Sequence, residues 1–128
     1  MSKFTTFKRW TLKNDRHEDE VTALVREAII PAYNKLPGCL GLGLLRIEGT
    51  QSYLATQHWE SRAARDAAIS SESYSLWFSA YLPTLDKWDE MMAFEDEWET
   101  EDVLSCVTDV DSPPDQCGSS ENTAHEIT

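Results

Sequence analysis

The sequence predicts an α+β domain with four strands and two helical regions in the order β-α-β-β-α-β, on three observations. Residues 37–64, PGCLGLGLLRIEGTQSYLATQHWESRAA, read as two strands joined by a tight turn, followed by an abrupt change to helix. Apolar residues recur at helical spacing on either side of them: Val21, Leu24, Val25, Ala28, Ile29 and Ala32 before, and Tyr74, Trp77, Phe78, Tyr81 and Leu85 after. Strand-like segments stand at both ends: residues 4–13 are rich in aromatic and β-branched residues, and residues 91–100 alternate.

Taken in order, residues 4–13 (FTTFKRWTLK) carry side chains that fit a pleated, half-buried surface and form the first strand. Asn14-Asp15 breaks it, and Asp15 with Glu18 three residues on fits the two ends of a capping box. Pro31 falls late in the helix that follows and is expected to kink it, and Pro37-Gly38 ends it. Residues 39–47 are apolar and nearly uncharged, Glu48-Gly49-Thr50-Gln51 supplies turn chemistry, and residues 52–59 alternate strictly. The alternation puts Tyr53, Ala55, Gln57 and Trp59 on one face, and Leu54, Thr56 and His58 on the other.

Ser61 is placed to cap a helix over residues 61–69, and Ser70-Ser71-Glu72-Ser73 interrupts it and caps the next one. Pro83 is expected to end or bend that aromatic helix, leaving Leu85 and Trp88 in a connecting turn. Residues 91–100 alternate again, with Phe94, Asp96 and Trp98 opposite Glu95, Glu97 and Glu99. The charged face discourages edge-to-edge pairing. This element order is the ferredoxin-like arrangement, an antiparallel sheet covered by helices on one side. With Leu40, Leu42 and Leu44 on the bare side, burial favours two copies stacked sheet to sheet about a two-fold axis.

Composition bounds the function. The chain has 128 residues and net charge −12. Seven acids and no Lys or Arg lie in 101–128, which leaves −12 + 7 = −5 for residues 1–100. One domain over 1–100 and an acidic, flexible tail over 101–128 follow. No basic stripe exists for nucleic acid or an anionic membrane. No apolar run approaches the ~20 residues of a membrane span, and MSKFTTFKRW lacks a signal-peptide core. Cys39, Cys106 and Cys117 are odd in number and lack metal-type spacing, which fits a reduced, cytoplasmic protein. No nucleophile-elbow, P-loop or dinucleotide motif occurs.

Several residues carry chemical interest. Gly41 and Gly43 inside a strand mark close approach by another group. That group is either a ligand or one of Trp59, Trp77 and Tyr81. His58 points away from Trp59, as a base or an interface histidine. His17 lies in a first turn of acids, as part of a solvated face. Arg9 and Arg46 are candidates to hold an anion.

Pro37-Gly38-Cys39 and Trp59-Glu60-Ser61-Arg62-Ala63, at this spacing, resemble the antibiotic biosynthesis monooxygenase-like family of dimeric α+β barrels. The resemblance covers residues 4–100. It implies a homodimer that binds O2 and a small aromatic, phenolic or polyketide-type substrate, with no metal or flavin cofactor. In such chemistry the deprotonated substrate passes an electron to O2, the radicals recombine, and a hydroperoxide collapses to a quinone. Trp59 stands where these enzymes have a pocket tryptophan, with Gln57 beside it as a hydrogen-bond donor. Tyr53, Gly41, Gly43, Trp77, Phe78 and Tyr81 complete the expected substrate site. Ala55, Arg65 and Leu45 stand where the family enzymes have asparagine, tyrosine and histidine. A haem-degrading branch uses a strand asparagine and a helix histidine, neither of which occurs here. Loss of the three polar residues favours a competing reading, a ligand-binding or stress-related barrel without turnover. A lyase or isomerase on the same scaffold is a third.

Overall fold

In the computed structural model, which describes residues 2–104, the strands are β1 (Phe4–Leu12), β2 (Cys39–Arg46), β3 (Ser52–Trp59) and β4 (Met92–Glu101). The helices are α1 (Glu18–Leu24), a π turn (Val25–Ile29), α2 (Ile30–Tyr33), α3 (Arg62–Ser70) and α4 (Glu72–Met91). The sheet runs β2-β3-β1-β4 with every pair antiparallel, as the ferredoxin-like reading requires. Residues 105–128, which include Cys106, Cys117 and most of the expected tail, lie outside the described residues. β4 continues to Glu101, and the Asp102 N–H donates to the Lys3 carbonyl at 2.9 Å.

Local signals place most element ends. Ser61 caps α3 by accepting from the Ala64 N–H at 3.0 Å, and Ser71 separates α3 from α4. The cap of α1 is displaced from the expected Asp15 to His17. The His17 N–H donates to the Glu20 carboxylate at 2.9 Å, and the Glu20 N–H donates back to the His17 carbonyl at 3.0 Å. Glu18 is thereby released to accept from the Tyr53 hydroxyl at 2.7 Å and from Arg46 at 2.8 Å.

The two prolines act differently from each other. Pro31 has no N–H and its ring crowds the carbonyl four residues back. The chain answers by widening a turn, so that the Ile30 N–H reaches the Val25 carbonyl five residues away. Pro83 does not end its helix: α4 runs through it to Met91. Tyr81, Trp88 and Met91 are buried on either side of it, and Trp88 meets Trp10 edge-on at 5.4 Å. Burying such aromatic area outweighs the ~3 kcal/mol that an interior proline costs. Trp88 is therefore core and not turn.

Two β-bulges reset side-chain parity. On β4 the register passes from Arg9↔Asp96 to Trp10↔Phe94, which makes Glu95 the extra residue. Phe94 accordingly shares the helix side with Glu97 and Glu99, edge-on to Trp10 at 5.2 Å, and not the side of Asp96 and Trp98. On β2, Cys39 pairs with Trp59 and Gly41 with His58, so Leu40 is extra. Gly41, at φ +156°, supplies a backbone conformation that side-chain-bearing residues rarely adopt. Past the bulge every residue of β2 changes sides. Leu42 and Leu44 pack on the helix-side core, and Gly41, Gly43 and Leu45 lie on the bare face. This reverses the expected leucine face.

The core lies between sheet and helices in two clusters. One holds Leu12, Val21, Tyr53, Tyr81, Trp88 and Met92; the other holds Phe4, Leu36, Trp59 and Ala68. On the bare face Phe7 stacks on Trp98 at 5.6 Å, and Leu45 is 53% exposed. Among the described residues no helix is long and apolar enough to cross a membrane.

Gly43 has a narrow steric reason, because a Cβ there would stand 2.6 Å from Thr56 Oγ1. Gly43→Ala is expected to cost about 1–3 kcal/mol of stability by denaturant titration. Adding Thr56→Ala should recover most of that cost. Equal cost in both backgrounds would show that Thr56 is not the obstacle.

Candidate substrate pocket

A cavity of about 190 Å³ opens between the sheet and the helices. Its floor is Lys8 and Trp10 of β1, Leu42 and Leu44 of β2, and Ala55 and Gln57 of β3. Its walls are aromatic: Tyr33, Tyr74, Trp77, Phe78, Tyr81 and Trp88. The α4 rings rise on one face because they recur three and four residues apart. Tyr74 stacks on Trp77 at 5.5 Å, and Trp77 on Tyr81 at 4.9 Å. Tyr33 meets Trp77 edge-on at 5.1 Å and Tyr81 at 5.5 Å. Trp77 Nε1 donates to the Ala32 carbonyl at 2.7 Å, which fixes the stack against α2.

One amide stands in this apolar setting. Gln57 Nε2 donates to the Tyr33 hydroxyl at 3.2 Å, and Gln57 Oε1 accepts from Trp59 Nε1 at 3.4 Å. Gln57 also lines a second, outer cleft of about 700 Å³ with Trp59, Arg62, Arg65, Glu97 and Glu99. Lys8, Tyr33, Gln57 and Tyr74 line both spaces and so form the partition between them. Arg62 and Arg65 lie over the Phe4 ring at 4.8 and 4.9 Å, and both donate to Glu99, at 3.2 and 3.0 Å.

Burial pushes the Tyr33 phenol far above its ordinary range, with the nearby Tyr81 and Tyr74 phenols adding to the effect. Burial likewise pushes Tyr81 up to about 12. Both tyrosines keep their protons at neutral pH and serve the site as hydrogen-bonding groups, not as bases.

The structure brings Gln57, Trp77, Phe78, Tyr81 and Gly43 together around the inner cavity, and Trp59 with Gln57 along the outer cleft. Trp59 is only 1% exposed and packs in the second core cluster. Tyr53 and Gly41 line neither space: Tyr53 is buried with its hydroxyl on Glu18, and Gly41 forms the β2 bulge. The group closest to Gly43 is the Thr56 hydroxyl, not Trp59, Trp77 or Tyr81. Arg9 lies over the Trp98 ring at 5.7 Å on the bare face, and Arg46 is engaged by Glu18, so neither enters the pocket. His58 lies on that same bare face, 3.1 Å from Thr56 Oγ1 and 3.4 Å from Thr5 Oγ1. Among the described residues no three His, Cys, Asp or Glu side chains converge as a metal site.

Sequence reasoning passed over Tyr33 and Lys8. Tyr33 follows Pro31, where an expected kink concealed its direction. Lys8 shares the helix side of β1 with Phe4 and Trp10, a parity readable once Phe4 is set opposite Trp59.

The sequence matches the family model described as antibiotic biosynthesis monooxygenase over residues 4–80, from β1 into α4. No curated protein matches the chain. Among solved structures the chain is similar to SnoaB from Streptomyces nogalater, described as a cofactor-independent oxygenase. Identity is 15% and the TM-score 0.57, covering 88% of this chain and 100% of that one. HapK from Hahella chejuensis gives 16% identity and a TM-score of 0.58, covering 83% and 98%. NE2512 from Nitrosomonas europaea, a protein of unknown function, gives 15% and 0.57, covering 85% and 97%. At these identities the solved structures speak for the fold alone. The family model spans more than half of the chain, and on that match the chain belongs to the antibiotic biosynthesis monooxygenase family.

Proposed function

We propose that the protein is a cofactor-independent mono-oxygenase acting on a small phenolic, quinone- or polyketide-type aromatic in the inner cavity. The observation that carries this reading is an aromatic-walled cavity crossed by one hydrogen-bonded amide, Gln57, in a chain of this family. Trp77, Phe78 and Tyr81 form the α4 wall against which a planar ring packs, and Gln57 orients its oxygen substituent or the incoming O2. Trp59 acts one step back by holding the Gln57 amide. In an anthrone the CH2 carbon becomes C=O; one oxygen atom stays in the product and the other leaves as water. The substrate thus supplies every electron.

Two copies pair through the bare sheet face, where Phe7, Trp98, Leu45 and Leu54 would otherwise meet water. The free thiol of Cys39 is in keeping with a cytoplasmic location. Ala55 favours a second reading, a ligand-binding protein without turnover. It lines the cavity with a methyl group where the family enzymes place an asparagine.

Chelator-treated protein should consume oxygen with some member of a panel of anthrones and hydroquinones. Gln57→Leu should slow that uptake about tenfold or more. Binding of the same compounds without uptake would favour the second reading. Sedimentation at micromolar concentration should give near twice the 14.6 kDa of one chain, and a stable monomer would end the sheet-to-sheet proposal.

Alkaline stability offers a separate check on the buried phenols. The Tyr81 proton is lost near 10.0 in an unfolded chain and near 12 in the folded one. Its contribution to stability is whole below the first value and gone above the second. The melting temperature should fall across that window, and less steeply in Tyr81→Phe. Identical slopes would show that the phenol is not protected by folding.

A further inference from the structure

We infer that Lys8 holds the substrate's negative charge, and this assignment rests on the mono-oxygenase reading of the inner cavity. Oxidation by O2 without a cofactor begins from an ionised substrate, so the pocket needs a group that favours the phenolate or enolate over the neutral form. The three phenols that line the cavity with Lys8, those of Tyr33, Tyr74 and Tyr81, are held in their protonated forms by burial. Three cationic side chains line the two adjacent spaces: Lys8, Arg62 and Arg65. Only Lys8 reaches the inner one. Arg62 and Arg65 are committed to Glu99. Lys8 takes part in none of the ion pairs among the described residues, which use Arg16, Arg46, Arg62 and Arg65.

Register explains why this lysine is available. Lys8 stands between Ala55 of β3 and Glu97 of β4 on the helix side of the sheet. Ala55 has no polar atom to engage it. Glu97 lines the outer cleft only and is not bonded to it. A lysine can lay its apolar stem along such a surface and carry three N–H donors at its tip. Beside aromatic walls, where water screens poorly, that charge favours the ionised form of a bound phenol. The phenol O–H breaks and the proton passes to solvent, so the step needs no basic side chain. Lysine at this position thereby supplies from β1 what Arg9 and Arg46, which face elsewhere, do not.

The test uses 4-nitrophenol, whose phenolate absorbs visible light, titrated with wild-type protein, Lys8→Gln and Lys8→Arg. Binding is read independently by quenching of tryptophan fluorescence. The expected result is a bound probe whose ionisation midpoint is about one pH unit below its free value. The shift should vanish in Lys8→Gln and persist in Lys8→Arg, with all three proteins quenched alike. A probe that binds all three but ionises identically in wild type and Lys8→Gln overturns the Lys8 assignment and leaves the cavity reading standing. A probe that binds none of them, with folding intact by circular dichroism, overturns the cavity reading and the assignment together.

Discussion

Trp77 gives its indole N–H to the Ala32 carbonyl at 2.7 Å, and this bond ties the longest helix to the end of the first helical region. The rings it aligns belong to both halves of the core. Trp77 and Tyr33 pack against the cluster around Trp88 and also against the cluster around Trp59. Each edge-on or stacked pair contributes roughly 0.5–1.5 kcal/mol beyond its buried area. Their larger effect is geometric, because rings held on several sides keep the cavity walls in place. The cavity is the space these aromatics leave, and its walls are as rigid as the core they belong to.

Polar groups in this setting are few, and the buried ones are occupied. Among the described residues no buried side-chain nitrogen or oxygen lacks a hydrogen-bond partner. Gln57 satisfies both ends of its amide, on Tyr33 and Trp59, through bonds of 3.2 and 3.4 Å. Those lengths lie at or beyond the long end of ordinary N–H···O bonds. An amide held this way keeps its direction at rest and retains capacity for a stronger acceptor.

Most of the architecture was legible from alternation and capping chemistry alone. The strict alternation of β3 fixed the faces of Gln57 and Trp59, and Ser61 and Ser71 marked the helix ends where the structure has them. Legibility ended where tertiary burial outweighs a local rule. Pro83 breaks helices on its own account, but the aromatic face around it does not release the chain. Asp15 is a good cap, yet His17 has that place and leaves Glu18 free for Tyr53 and Arg46. The site was half readable. The α4 stripe announces Trp77, Phe78 and Tyr81, whereas Tyr33 and Lys8 matter only through neighbours that strand register and a π turn bring near.

The bulge at Leu40 makes β2 vulnerable in register more than in composition. If Leu40 instead paired with His58 in simple alternation, the rest of the strand would turn inside out. The two glycines would face the core, while Leu42 and Leu44 would go to the bare side. Conservative substitutions along this strand alter one contact at a time, but a one-residue slip of its pairing exchanges interior for exterior. Leu40 thus sets which face of β2 is core by standing outside the pairing, although no atom of it lines either cavity.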